Sequence, residues 1–218
     1  MRNEKDFNKF YKTKDPWGVS TNKNSRNFIL KKIFKKYIKK SDNVLELGCG
    51  EGNFSKYINK IGCNSIGIDI SGIAIERAKK LKLSNYKFER KELLDLKFNC
   101  DIILAIEVIY YLNDEERTEF FKKLQNKNIK LILSTPIIGK NQYRKYFTDN
   151  EIKKIISNFK FKLIEEKKLN FNGGIRFIGR IFFNRFMCES HLSSLVLQIL
   201  PNKYIYQKVY VVECGLNN

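Results

Sequence analysis

Apolar runs of strand length alternate with stretches of helical rhythm from Asn43 to Glu213. That alternation restricts the chain to an open, mostly parallel sheet with helices on both faces. The first run, Asn43-Val44-Leu45-Glu46-Leu47, predicts a buried strand that ends in a glycine-rich turn, Gly48-Cys49-Gly50-Glu51-Gly52. A helix over 53–60 follows. Residues 65–70 are the second strand, and Ser71 caps a helix with Ile73, Ala74, Ile75 and Ala78 on its inner side. Residues 86–92 are the third strand. Asp101 to Ile106 is a continuous apolar run, as expected of a strand covered on both faces. Asn113-Asp114-Glu115-Glu116 opens a helix with negative charge where the dipole favours it. A fifth strand, 129–134, is stopped by Pro136, and Thr148 with Glu151 forms a capping box. Residues 161–167 and 208–213 complete seven strands.

Ahead of the first strand, residues 26–40 predict an amphipathic helix. Ile29, Leu30, Ile33, Phe34, Tyr37 and Ile38 form its apolar stripe. Lys31, Lys32, Lys35, Lys36, Lys39 and Lys40 fill the other face. That face is either an ordinary solvated surface or one that grips an anionic substrate or bilayer.

At 218 residues the chain suffices for one α/β domain with its own core. It divides into an N-terminal lid and first helix (1–40), a core (41–171), an insertion (172–205) and the last strand (206–218). The insertion is rich in Phe, Ile, Leu and Arg. It predicts either an apolar cap over the sheet or a basic, amphipathic surface with Arg180 and Arg185 flanking Ile181-Phe182-Phe183. No 18-residue apolar window and no leader pattern occur, so a cytoplasmic location is expected. The five cysteines, Cys49, Cys63, Cys100, Cys188 and Cys214, contain no Cys-x-x-Cys pair, and His191 is the single histidine. Neither a disulfide framework nor a metal centre is expected from that set. The formal net charge is +19. It favours anionic partners, although 33 Lys against 9 Arg in an Ile- and Asn-rich chain also fits a bias of codon composition.

A glycine-rich turn between the first strand and helix places a ligand at the carboxyl end of the sheet. The spacing of Gly48, Gly50 and Gly52 is G-x-G-x-G, with Asn53 where a dinucleotide fold wants its third glycine. Glu46, two positions earlier, would repel a pyrophosphate and suits a ligand bearing an ammonium. No Gly-Lys-Ser/Thr follows, so a P-loop is excluded.

Glu46-Leu47-Gly48-Cys49-Gly50-Glu51-Gly52 resembles the first motif of the class I S-adenosylmethionine-dependent methyltransferases. The resemblance implies a Rossmann-like sheet of seven strands, the last antiparallel, and S-adenosyl-L-methionine as cofactor. It sets Gly48, Cys49, Gly50 and Gly52 against the cofactor's methionine and ribose, with Glu46 near the amino group. Asp69, beside Ile70, takes the position that accepts the ribose hydroxyls. Glu92 takes the acidic position near the adenine amino group, with Leu93 beside the ring. Glu107 to Leu112 ends the fourth strand, where the family places groups facing cofactor and acceptor.

That segment lacks the Pro-Pro motif of nucleic-acid amino methyltransferases and the cysteine of cytosine C5 enzymes. Tyr111 stands where many small-molecule members carry histidine. Tyr110-Tyr111-Leu112, with Asp15-Pro16-Trp17-Gly18 upstream, is similar to the nodulation-factor N-methyltransferase and related small enzymes acting on sugars. The resemblance puts Trp17 on a lid over the cofactor and implies a small, sugar-linked acceptor. A hydroxyl acceptor needs a base, and Glu107 and Tyr111 are the candidates by position. Tyr110 is expected to point the other way, since alternate residues of an extended run face opposite sides. Two alternatives stay open: an RNA methyltransferase, favoured by the charge, and a non-catalytic binding module. Contact with a membrane surface or a lipid-linked substrate is a further possible partnership.

Overall fold

A computed structural model describes residues 3–16, 25–95, 99–139, 146–171 and 191–215. Trp17 and most of the insertion, including Arg180 and Arg185, lie outside them. Seven strands form one sheet: β1 (Asn43–Leu47), β2 (Asn64–Asp69), β3 (Tyr86–Arg90), β4 (Ile102–Ile106), β5 (Lys130–Pro136), β6 (Lys162–Phe171) and β7 (Ile205–Glu213). Their order is β3-β2-β1-β4-β5-β7-β6, parallel as far as β5, with β7 antiparallel to both its neighbours. The expected Rossmann-like, mostly parallel sheet with an antiparallel last strand is therefore present.

The helices are α1 (Glu4–Phe10), α2 (Ser25–Tyr37), α3 (Ser55–Asn59), α4 (Gly72–Lys79), α5 (Asp114–Leu124), α6 (Asp149–Asn158) and α7 (His191–Ile199). Along β4, Ile102, Leu104 and Ile106 enter the core shared with α2, α3, α4 and α7. Ile103 and Ala105 enter the opposite core, shared with α5 and α6. Covering both faces is what makes the sequence of β4 an unbroken apolar run.

The caps behave as expected. Ser71 Oγ accepts the Ala74 N–H, and Asn113 and Thr148 each form a capping box. Three expectations need correction. Ile73 was expected inward, but it is exposed while Ala74, Ile75 and Ala78 are buried. Pro136 does not stop β5 early; it is the last paired residue, opposite Gln207. Proline is tolerated at such an end because the missing N–H is not needed there. Finally, β6 and β7 run longer at the ends that face the carboxyl edge of the parallel strands, adding Lys168–Phe171 and Ile205–Gln207.

A buried ionic knot ties α6 to these two strands. Lys208, 1% exposed, lies 2.9 Å from Asp149 and 3.1 Å from Glu166. Lys153 bridges the same two carboxylates, and the Tyr210 hydroxyl donates to Asp149. Burying a lysine is costly unless it is paired, and here two acids share it.

Candidate active site

The strand order reverses between β1 and β4, and a cavity of about 400 Å3 opens at their carboxyl ends. Sheets of this class hold ligands at that crevice. Its lining draws on the glycine turn, the ends of β2 and β4, α1, and the facing ends of β6 and β7.

The turn has the shape its sequence requires. Gly48, Gly50 and Gly52 have φ of +63°, +55° and +79°, where side chains are strained. A Cβ on Gly48 would stand 2.8 Å from Val108, and one on Gly50 would stand 2.7 Å from the Tyr11 hydroxyl. Asp69 locks the turn from β2. One carboxylate oxygen accepts the Gly50 N–H at 3.0 Å, the other the Ser71 N–H at 2.8 Å. A carboxylate offers about four lone-pair sites, so about two remain for a ligand's hydroxyls.

Glu46 also has partners within the protein. Its carboxylate accepts from Ser55 Oγ at 2.5 Å and from the Tyr86 hydroxyl, and it also lines the cavity. Burial pushes Glu46 up to about 7 and Asp69 up to about 6, against their hydrogen bonds, which pull down. Burial also raises the Cys49 thiol, which lines the cavity as a neutral group.

These two carboxyls give the ligand-free protein a pH-dependent stability of defined sign. Their folded values lie above their unfolded ones, so folding takes up protons as pH falls through that interval. Stability is therefore greater at low pH and is lost as pH rises from about 4 to about 7. Asp149, Glu165 and Glu166 are shifted downward, so their contribution changes only below that window. Urea unfolding at about pH 5.5 should show on the order of 2 kcal/mol more stability than at about pH 8. Glu46→Gln should remove roughly two thirds of that difference, because Asp69, at about 6, titrates nearer the acid end of that interval. An undiminished slope in the variant would assign the effect to other groups.

At the far side, Glu107 ends β4 with φ +59°, a left-handed conformation uncommon outside glycine. Its N–H donates to the Ser134 carbonyl, and its carboxylate accepts from Ser134 Oγ at 2.9 Å and from Gln207 Nε2. Ser134 and Gln207 are both buried, so β5 and β7 hold the carboxylate in place. Residues 109–111 form a 3-10 turn and not an extended run. Tyr110 therefore does not point away: both tyrosines line the cavity, their rings 4.7 Å apart.

Helix α1 closes the mouth. Phe7 meets the Tyr111 ring edge-on at 5.0 Å, and Asn8 accepts from Ser71 Oγ at 2.6 Å. Glu4 pairs with Arg90, and beyond the helix Asp15 N donates to Glu51, which also pairs with Arg77. Ile70, Glu92 and Leu93 line the opposite wall, Glu92 exposed at the rim. The cavity thus brings together every expected site residue but two: Gly52 supports the turn from beneath, against Leu81 and Phe88, and Trp17 is not described.

Sequence reading missed Arg26, Asn170, Tyr206 and Gln207, all in the lining. Arg26 left one signal, being the one arginine in a helix otherwise filled with lysine. It stands at the first turn of α2, its guanidinium 6.0 Å from the Phe54 ring centre.

The sequence profile of the methyltransferase domain family matches residues 23–166. The chain is 33% identical over 150 residues to the ubiquinone biosynthesis O-methyltransferase of Pelagibacter ubique, covering 59% of this chain and 61% of that protein. It is 32% identical over 108 residues to the ribosomal protein L11 methyltransferase of Dictyoglomus turgidum, covering 47% of this chain and 33% of that protein. It thus spans less than two thirds of either relative. The fold is similar to that of magnesium protoporphyrin IX methyltransferase from Synechocystis, with TM-score 0.65, 14% identity and 98% of each chain covered. It is also similar to the 1,6-didemethyltoxoflavin-N1-methyltransferase of Burkholderia thailandensis, with TM-score 0.67, 12% identity, and 96% and 86% covered.

Proposed function

Since the chain belongs to the class I S-adenosylmethionine-dependent methyltransferase family, we propose that its acceptor is a small molecule, methylated on an amino or hydroxyl group and belonging to the sugar or sugar-linked class. The observation that carries this is one cavity with two chemically distinct ends. One end has the glycine turn and Asp69; the other has Glu107, Asn170 and Gln207 among the rings of Phe7, Tyr111 and Tyr206. Aromatic faces with a few amide and carboxylate groups suit a polyhydroxylated ring, and the volume lies within the range of small-molecule sites.

The residues present fit the cofactor. Asp69 retains acceptor capacity for the ribose hydroxyls, and Gly48 and Gly50 let the turn pack against Val108 and Tyr11 where a Cβ would clash. Arg26 supplies the cation for a carboxylate, and Glu46 an anion for an ammonium. Leu93 and Ile70 offer apolar surface to the adenine, with Glu92 at its rim. When bound, S-adenosyl-L-methionine supplies an activated methyl on a sulfonium.

The chain's own contribution is alignment and exclusion of water. Phe7, Tyr11 and Tyr111 cover the mouth. Ser134 and Gln207 hold Glu107 at a fixed place, where its carboxylate accepts the proton leaving a hydroxyl or an ammonium acceptor. Tyr111 packs beside it and orients the acceptor from the α1 side.

A second reading, transfer to a phenolic hydroxyl, is favoured by the ubiquinone-biosynthesis relative and by the aromatic walls. Both are tested by labelled transfer from S-adenosylmethionine to a panel of amino sugars, nucleotide sugars, lipid-linked sugars, catechols and RNA. Label on a sugar amine or hydroxyl supports the first reading. Label on catechols alone supports the second, and label on RNA alone removes both.

A further inference from the structure

The outer face of α2 and α7 combines exposed apolar side chains with a row of lysines. Leu195 and Ile199 are 59% and 83% exposed, the two most exposed large apolar side chains of the described part. They stand one turn apart on α7 and so project from the same side of the helix. This is not a frayed end. Leu197 is fully buried, Lys168 Nζ donates to the Gln198 and Leu200 carbonyls, and Gln198 Nε2 donates back to the Lys168 carbonyl.

Cations lie on the helix packed against α7 and on the turn that follows it. Helix α2 packs beside α7 and carries Lys32, Lys35 and Lys36, all exposed, with Lys39 and Lys40 continuing past its end. Lys36 reaches Glu165 on β6, which places the row along the strand that α7 covers. After α7 the chain turns through Pro201 into Asn202–Tyr204, where the exposed Lys203 stands 4.9 Å from the Tyr204 ring centre.

We propose that this face docks on an anionic lipid bilayer, with Leu195 and Ile199 entering the headgroup boundary and the lysines meeting the phosphates. The apolar pair decides the partner. Two aliphatic side chains gain nothing against a nucleic-acid backbone, which is bound by cations and stacking rings. They gain from entry into the acyl boundary, where anionic lipid also attracts the lysines. A second copy of this chain would set like charges against each other across the contact. Helix α7 packs on β6, which carries Asn170 of the cavity wall, and leads into β7, which carries Tyr206 and Gln207, so docking would bring the headgroup layer to the elements that build the acceptor end.

The test is vesicle flotation of the full chain, which does not depend on the acceptor. At low salt the protein should float with phosphatidylcholine vesicles containing about 30% phosphatidylglycerol and stay behind with phosphatidylcholine alone. The bound fraction should fall steeply at about 0.5 M salt, where the Debye length is only a few ångströms. The double variant Leu195→Asp, Ile199→Asp should lose at least about fivefold of the bound fraction. Its thermal melting and S-adenosylhomocysteine binding should be unchanged, because both positions are exposed. Absence of flotation at low salt overturns the proposal, as does equal flotation of the variant. Retention of single-stranded RNA by both forms, without vesicle binding, would assign the lysines to nucleic acid and overturn it as well. Failure of cofactor binding would instead count against the methyl-transfer reading and leave flotation to be judged separately.

Discussion

Glutamine at position 107 lowers methyl transfer by at least about 100-fold, the usual contribution of a positioned general base. Binding of S-adenosylhomocysteine should stay within about twofold, since Glu107 lies at the acceptor end. The substitution keeps the shape and removes the charge. Ser134 Oγ and Gln207 Nε2 both donate to the same oxygen, Oε1, so the carbonyl of a glutamine can keep both bonds while its NH2 replaces the other oxygen. The informative readout is the pH profile of kcat/KM with the acceptor found by the panel. The wild type should show a rising limb governed by a carboxylate, and the variant should lack it. Ser134→Ala should retain the limb at a lower kcat, because it disturbs position and not charge. Retention of more than about half the wild-type rate by Glu107→Gln would place the base elsewhere.

Asp69→Ala should weaken S-adenosylhomocysteine binding by about 1.5–3 kcal/mol, the range for hydrogen bonds to a charged group, or roughly ten- to 150-fold in Kd. Two losses contribute. The acceptor for the ribose hydroxyls disappears, and the Gly50 and Ser71 N–H groups lose their partner. Asp69→Asn separates them: its one carbonyl oxygen can serve Gly50 or Ser71 but not both, and its NH2 repels a hydroxyl donor. Calorimetric titration of wild type and both variants is the measurement. Unchanged affinity in the alanine variant would remove Asp69 from the site.

The cofactor half of this cavity was legible in the sequence because it is built from local signals. A strand running into glycines at alternate positions has few conformations open to it, and all three glycines occupy the left-handed region that other residues adopt only at a cost. Ser71, Asn113 and Thr148 announce their helices by short-range bonds to the third residue beyond. The acceptor half was less legible because its parts meet only in three dimensions. Gln207 lies 100 positions after Glu107, and nothing near it in sequence marks it as a partner. Period-two alternation failed at Tyr110 because the chain leaves the strand at Glu107, whose left-handed backbone turns it into a 3-10 turn. The ends of β6 and β7 were read short because Lys168, Asn170 and Gln207 are polar. They are polar because they face a cavity or a neighbouring helix and not a core. The likeness to a sugar N-methyltransferase rests on two short segments, of which Trp17 and Gly18 lie outside the described residues.

The antiparallel course of β7 has a consequence for how such a protein changes over time. A parallel strand in that place would bring its last residues to the cavity, and its first would lie at the opposite edge of the sheet. Because β7 runs against β5, Tyr206 and Gln207 reach the cavity at once, directly after α7 and the turn at Asn202–Tyr204. The glycine turn and Asp69 belong to β1 and β2, at the other end of the sheet order and more than 130 residues earlier in the chain. Mutations can therefore accumulate in the late segment and alter what is recognised, with the donor half inherited intact. The fold thus puts Asn170, Tyr206 and Gln207 of the acceptor end on a stretch of the gene separate from the glycine turn and Asp69.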